Sequence, residues 1–113
     1  MAGRYDFTIK QGSTFSMSVS LKEGESPFNL TDYTGRMQIR YNDHNGAVAA
    51  DLNVDNGGIV VDVANNQIVI HISAEDTAKI DPLKCLYDLE IVQDDYVERI
   101  LEGIIRVSPE VTK

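Results

Sequence analysis

Few side chains in this chain of 113 residues have the type and spacing to do chemistry. A serine or cysteine nucleophile needs an activating base within hydrogen-bond reach. The chain has two histidines, His44 and His71. His44 falls in Asn42-Asp43-His44-Asn45-Gly46, a run of turn-forming residues. His71 falls on the polar side of an alternating segment. No serine occupies a Gly-x-Ser-x-Gly elbow. Cys85 follows Lys84, whose charge favours a thiolate, but no histidine is near it in sequence. A small core or strand-entry residue accounts for Cys85 more simply. Carboxylates are plentiful, yet paired-acid hydrolysis needs two of them across a cleft that so small a domain rarely builds. The expectation is a protein that is not an enzyme, with no catalytic residue and no cofactor.

Asp51, Asn53 and Asp55 have the spacing of the first three ligands of a calcium loop. That loop wants glycine at its sixth position, where this chain has Asn56, with Gly57 one place late. An outward strand face running into an Asn-Gly-Gly turn explains the same residues. One cysteine and two separated histidines make no zinc cluster, so no metal site is expected. Asn29-Leu30-Thr31 fits a glycosylation acceptor. The opening Met1 to Asp6 has no apolar signal region, so that match is read as chance. No phosphate-cradling glycine loop or interleaved basic and aromatic face is present. Arg36 and Arg40 share a strand face with Gln38, as on a solvated sheet surface or opposite Asp and Glu partners.

The net charge of -8 repels phosphate backbones and anionic lipid, so neither nucleic acid nor membrane is an expected partner. A lone cysteine forms no internal disulfide, which fits folding in a reducing cytoplasm. No apolar run approaches the roughly 20 residues of a membrane span.

These residues are positioned by a chain that alternates with period two, the mark of half-buried strands. The pattern is clearest at Phe15, Met17, Val19 and Leu21, with Thr14, Ser16, Ser18 and Ser20 opposite. Similar faces are Tyr5/Phe7/Ile9, Met37/Ile39/Tyr41, Val48/Ala50/Leu52, Ile59/Val61/Val63, Ile68/Ile70/Ile72 and Tyr87/Leu89/Ile91. In the last segment, Tyr96 to Val107, one side holds Val97, Leu101, Ile105 and Val107, interrupted by Arg99 and Gly103. A bend is expected at Gly103. The core is expected at Phe15, Met17, Val19, Met37, Ile39, Ile70, Tyr87, Leu89, Leu101 and Ile105. Asn45-Gly46, Asn56-Gly57, Asn65-Asn66 and Asp94-Asp95 are hairpin-turn candidates, Gln11-Gly12-Ser13 breaks the first two runs, and Glu23 to Pro27 reads as a polar loop. Ser73-Ala74-Glu75-Asp76 resembles a capping box. It predicts a short helical turn near residues 74–80, stopped by Pro82 and crossing between two sheets. Residues 1–113 thus read as a single all-β domain, an antiparallel β-sandwich of about eight strands, with a small β-barrel as the alternative.

Several phrases occur in a recognisable order. They are Tyr5 to Phe15, Asn29-Leu30-Thr31-Asp32-Tyr33-Thr34-Gly35-Arg36-Met37-Gln38-Ile39-Arg40, Ile72 to Ala78, Tyr87 to Ile91, and Arg99 to Thr112. This order resembles small proteins encoded by tailed bacteriophages among their virion structural genes. It is also similar to N-terminal attachment modules of baseplate and tail-fibre proteins. The resemblance covers nearly the whole chain and rests on the order of the phrases. It implies an immunoglobulin-like sandwich, no catalytic residues, and a structural or adaptor role in the tail, baseplate, neck or fibre attachment. The expected partners are other phage virion proteins, with multi-copy or homo-oligomeric assembly. The expected location is the virion, after folding in the host bacterial cytoplasm. The chain ends just after the last phrase, so no receptor-binding region of its own is expected.

Two other functions stay open: a small module binding a host surface or glycan, and a virion assembly factor. Glycan binding usually needs exposed aromatic rings, and this chain has no Trp, with its five Tyr and three Phe mostly on apolar faces. The candidate interaction surface comprises Tyr5, Phe7 and Ile9, on a short terminal edge strand, and the uncharged row Thr14, Ser16, Ser18 and Ser20.

Overall fold

The computed structural model describes residues 3–23, 26–43 and 45–112. The elements are β1 (Gly3–Arg4), β2 (Phe7–Lys10), β3 (Phe15–Ser20), β4 (Lys22–Glu23), β5 (Ser26–Pro27), β6 (Thr34–Tyr41), β7 (Val48–Asn53), β8 (Ile59–Asp62), β9 (Gln67–Ile72), α1 (Ala74–Ala78), β10 (Cys85–Gln93) and β11 (Tyr96–Ser108). Eight of these strands exceed two residues, as the alternation predicts. The stretch read as a polar loop instead pairs β4 with β5 in a short hairpin.

One sheet has the order β1-β11-β10-β6-β7, with β2 also paired to β11, and a second has the order β3-β9-β8. The fold is all-β. Neither strand order returns on itself among the described residues, so the barrel alternative is not the architecture. The sheets are not wholly antiparallel either. Both β1 and β2 run parallel to β11, at Gly3 opposite Leu101 and Phe7 opposite Ile105. Side-chain alternation carries no information about strand direction, so this pairing has no signal in the sequence.

The core fills from both sheets. Met37, Ile39, Tyr87, Leu89, Ile91 and Ile105 come from the larger sheet, and Ile59, Ile68, Ile70 and Ile72 from the smaller. Phe15, Met17, Val19 and Leu101 are half-buried and pack against that cluster. Branched and aromatic side chains on alternate positions suit a pleated surface with one buried face.

The bend expected at Gly103 lies elsewhere. The β10–β11 register shifts between Leu89, opposite Leu101, and Glu90, opposite Arg99, leaving Ile100 as an extra residue. One inserted residue inverts the parity of everything before it. Val97 therefore faces away from Leu101 and the core, beside Val92, and is 45% exposed. Gly103 is needed for close approach instead. A Cβ there would press on the Tyr5 carbonyl and the Asp6 carboxylate.

The turns follow local chemistry. Asp94 and Asn66 take positive φ in the β10–β11 and β8–β9 turns, and Gly12 does so between β2 and β3. Asn56-Gly57 does not close a hairpin. It carries the chain from β7 in one sheet to β8 in the other, with Gly57 at φ +79°. The loop after β6 has a positive φ at Asn42 and none at Gly46. Ser73 caps α1, its hydroxyl accepting from the Asp76 N–H at 3.1 Å. The helix links β9 to β10 and so joins the two sheets. Buried Thr77 ties it down: its hydroxyl donates to the Ser13 carbonyl at 2.8 Å and accepts from the Gly12 N–H at 3.0 Å. Among the described residues, no helix is long and apolar enough to cross a membrane.

Candidate interaction surfaces

His71 and Cys85 lie on strands of different sheets. His44 lies outside the described residues. His71 is exposed on β9, opposite Ser16. Cys85 is fully buried, and that burial pushes its thiol pKa up, the reverse of what a nucleophile needs. In the calcium-like stretch, the side chains of Asn53 and Asn56 serve a turn. The Asn56 amide oxygen accepts from the N–H groups of Asn53 and Gly58 at 3.1 and 2.9 Å, and its nitrogen donates to the Asp51 carbonyl at 2.7 Å. In return, the Asn53 side-chain oxygen accepts from the Asn56 N–H at 2.9 Å. Adding calcium or a chelator is expected to leave the melting temperature unchanged. A rise at millimolar calcium would reveal a site, because a ligand of the native state stabilises it by mass action.

The outer face of the larger sheet is charged. Arg4, Arg36, Arg40, Arg99 and Arg106 all lie on it, which is every arginine in the chain. Carboxylates interleave with them. Arg36 Nε meets Glu90 at 2.7 Å, and Arg99 reaches Asp88 at 3.4 Å and Glu102 at 3.2 Å. Arg40 donates to Gln38 Oε1 at 2.8 Å and to the Gly46 carbonyl at 2.9 Å. Burial, and after it the charge of Glu90, hold the Asp88 carboxyl above the usual carboxylate range. Exposed pairs of this kind stabilise by about 0–1 kcal/mol each. Their main effect is to satisfy the face internally.

The outer face of the smaller sheet is different. Ser16, Ser18 and Ser20 are exposed and stand opposite His71, Val69 and Gln67. Val60 stands opposite Val69 and is 50% exposed. Asp62, opposite Gln67, is the one carboxylate on this face among the described residues. Hydroxyls, an amide, an imidazole and two valines form a nearly uncharged surface on a protein of net charge -8. Thr14 is exposed just before β3. Strand β3 pairs with β9 on one side only, and no described strand pairs with the other. It has no charge, no proline and no bulge, the usual guards of an edge.

The N-terminal residues divide. Tyr5 lies between β1 and β2, half exposed, with its ring stacked on Phe7 at 5.9 Å. Phe7 stacks on Phe15 at 5.1 Å and meets Tyr87 edge-on at 5.0 Å. Ile9 is fully buried. Phe7 and Ile9 are therefore core side chains, because the alternation that marks the strand also turns them inward. Toward a partner, β2 has only its backbone edge and its outward Thr8 and Lys10 to present.

The alternation already puts Val69 and His71 on the face opposite Ile68, Ile70 and Ile72, and Val60 joins them there. Their signal is being out of phase with Ile59, Ile68 and Ile70. No protein-family model matches the chain, and a search of curated proteins gives no match.

Proposed function

We propose that the protein is a structural or adaptor component of a tailed-bacteriophage particle. In this role it docks other tail, baseplate, neck or fibre proteins through the β3 edge and the uncharged face beside it. The ordered phrases of the sequence support the phage assignment. The observation that carries docking is β3 itself, a six-residue unguarded edge flanked by exposed serines. Such an edge accepts a strand from another chain, with main-chain hydrogen bonds giving affinity and side-chain pockets giving choice.

We also propose that the two sheets form an immunoglobulin-like sandwich. Strand order supports this: β11-β10-β6-β7 follows the G-F-C-C′ order of that fold, and β3-β9-β8 follows B-E-D. The disulfide and tryptophan of antibody domains have no counterpart, since the chain has one Cys and no Trp. In that fold strand A lies beside B. Here the N-terminal strands pair with β11 instead, and the place beside β3 holds no described strand. A strand donated by a partner fits that place.

Mass spectrometry of purified virions should find the wild-type protein in stoichiometric copies. The Ser16→Lys/Ser18→Lys variant should fold normally, because both side chains are exposed and such surface changes stay within about 0.5 kcal/mol. It should nonetheless be lost from the particles. Deleting the N-terminal strand is a poorer test, since Ile9 and Phe7 would leave the core with it. Absence of the wild type from virions would refute the virion assignment. A folded double variant at normal occupancy would refute docking through β3.

A further inference from the structure

We infer that the cleft beside the β10–β11 hairpin binds a neutral oligosaccharide. The site goes beyond docking through β3 and shares none of its residues. Phe28 and Tyr33, from the connection between β5 and β6, meet Tyr96, from the start of β11, at this end of the molecule. Phe28 and Tyr33 meet edge-on at 5.4 Å, and Tyr33 and Tyr96 at 6.5 Å. Phe28 and Tyr33 rest on the core, while Tyr96 is 51% exposed. The cluster thus runs from a rigid base to an accessible ring. The cleft has a volume of about 600 Å³, within the range of small-molecule sites.

Polar side chains line the same cleft and are held in place. Asn29 Oδ1 accepts from the Thr31 N–H at 3.0 Å, which directs its amide nitrogen elsewhere. Gln93 Nε2 donates to the Thr31 carbonyl at 3.2 Å, which leaves its oxygen to accept. The Tyr96 hydroxyl donates to Glu98 and fixes that carboxylate beside the ring. A pyranose has an apolar face of C–H groups and a rim of hydroxyls that both donate and accept. A ring suits the first, and amide and carboxylate groups suit the second.

Charge selects among sugars. Glu98 and one cation, Lys22, line the cleft, and three more carboxylates adjoin its lining residues in sequence: Asp32 between Thr31 and Tyr33, and Asp94 and Asp95 between Gln93 and Tyr96. Acidic saccharides and phosphates are repelled there.

The test uses the full chain tetramerised on streptavidin, because weak single contacts add when multivalent. It is applied to an array of neutral, acidic and amino-bearing oligosaccharides. Neutral oligosaccharides should be retained. Tyr96→Ala and, separately, Gln93→Ala should weaken retention by at least about tenfold, and Tyr96→Trp should preserve it. Leu83→Ala, an exposed apolar residue outside the cleft, should change nothing. Tyr96→Ala should still enter virions, which separates this site from docking through β3. Retention of no neutral oligosaccharide, retention of charged ones only, or retention that survives Tyr96→Ala would each overturn the assignment.

Discussion

Truncating Leu89 or Ile70 to alanine is expected to lower the unfolding free energy by about 2–5 kcal/mol. Both side chains are fully buried, and they come from opposite sheets. Leu89 sits between Met37 of β6 and Leu101 of β11, at the centre of the larger sheet. Ile70 sits between Met17 of β3 and Ile59 of β8, at the centre of the smaller one. Each truncation removes transfer free energy and leaves a cavity, since central strands with neighbours on both sides cannot collapse inward. A domain of ordinary stability has about 5–15 kcal/mol in total, so either loss is a large fraction of it. Urea melts should show lower midpoints with little change in slope. Near-neutral results at both positions would mean that the strand faces are inverted, as a one-residue slip produces.

The parts of the fold legible in the sequence are those governed by local pattern. The period-two runs locate β3, β6, β9 and β10, because one face of each is buried and the other is not. Ser73 marks the start of α1, because a capping hydroxyl and the N–H it accepts from are three residues apart. Asp94-Asp95 marks the last hairpin for a similarly local reason. What lies outside the sequence pattern is decided across distance. The extra residue at Ile100 is invisible, because Val97 and Leu101 fit the alternation equally well with or without a bulge. The parallel pairing of β2 with β11 depends on where the chain enters the sheet, not on which residues alternate. Asn56-Gly57 has the chemistry of a hairpin turn, but its Asn53 and Gly58 contacts redirect it between sheets.

The surfaces divide in the same way. Exposure of Ser16, Ser18 and Ser20 follows directly from the alternation. The inward direction of Phe7 and Ile9 follows from it too, although both look like edge residues from their position in the chain. Arg36 and Arg40 are visible as one face, but Arg99 reads as an interruption until the bulge places it opposite Glu90. The aromatic cleft has no periodic signature at all. Phe28 and Tyr33 sit in a connection and Tyr96 begins a strand, so only the folded chain brings the three rings together.

Replacing Gly103 by alanine is expected to cost at least about 3 kcal/mol, an unusually large effect for the addition of one methyl group. The reason is what crosses over this residue. The link between β1 and β2 passes directly over Gly103, and the new Cβ would press on the Tyr5 carbonyl and the Asp6 carboxylate. Neither is free to move. The Tyr5 N–H donates to the Glu102 carbonyl at 3.0 Å, its carbonyl accepts from the Tyr87 hydroxyl, and Asp6 Oδ1 accepts from the Ile104 N–H at 2.9 Å. Burial, and after it the charge of Asp6, raise the Tyr87 pKa, so its hydroxyl remains a donor across the neutral range. Lifting the link to admit a methyl group breaks these bonds together and strips a buried hydroxyl of its acceptor. Tyr87→Phe should cost only about 1 kcal/mol, because it removes one hydrogen bond and leaves the packing in place. The two changes should be less than additive, since Gly103→Ala already separates Tyr5 from Tyr87. Denaturant melts of both single variants and the double variant measure that coupling. Hydrogen exchange in the Gly103→Ala protein should show lost protection at the Tyr5 and Ile104 amides, while the amides that pair β3 with β9 stay protected. Full additivity, or an alanine variant as stable as the wild type, would mean that the N-terminal strand does not lie over β11 in this way.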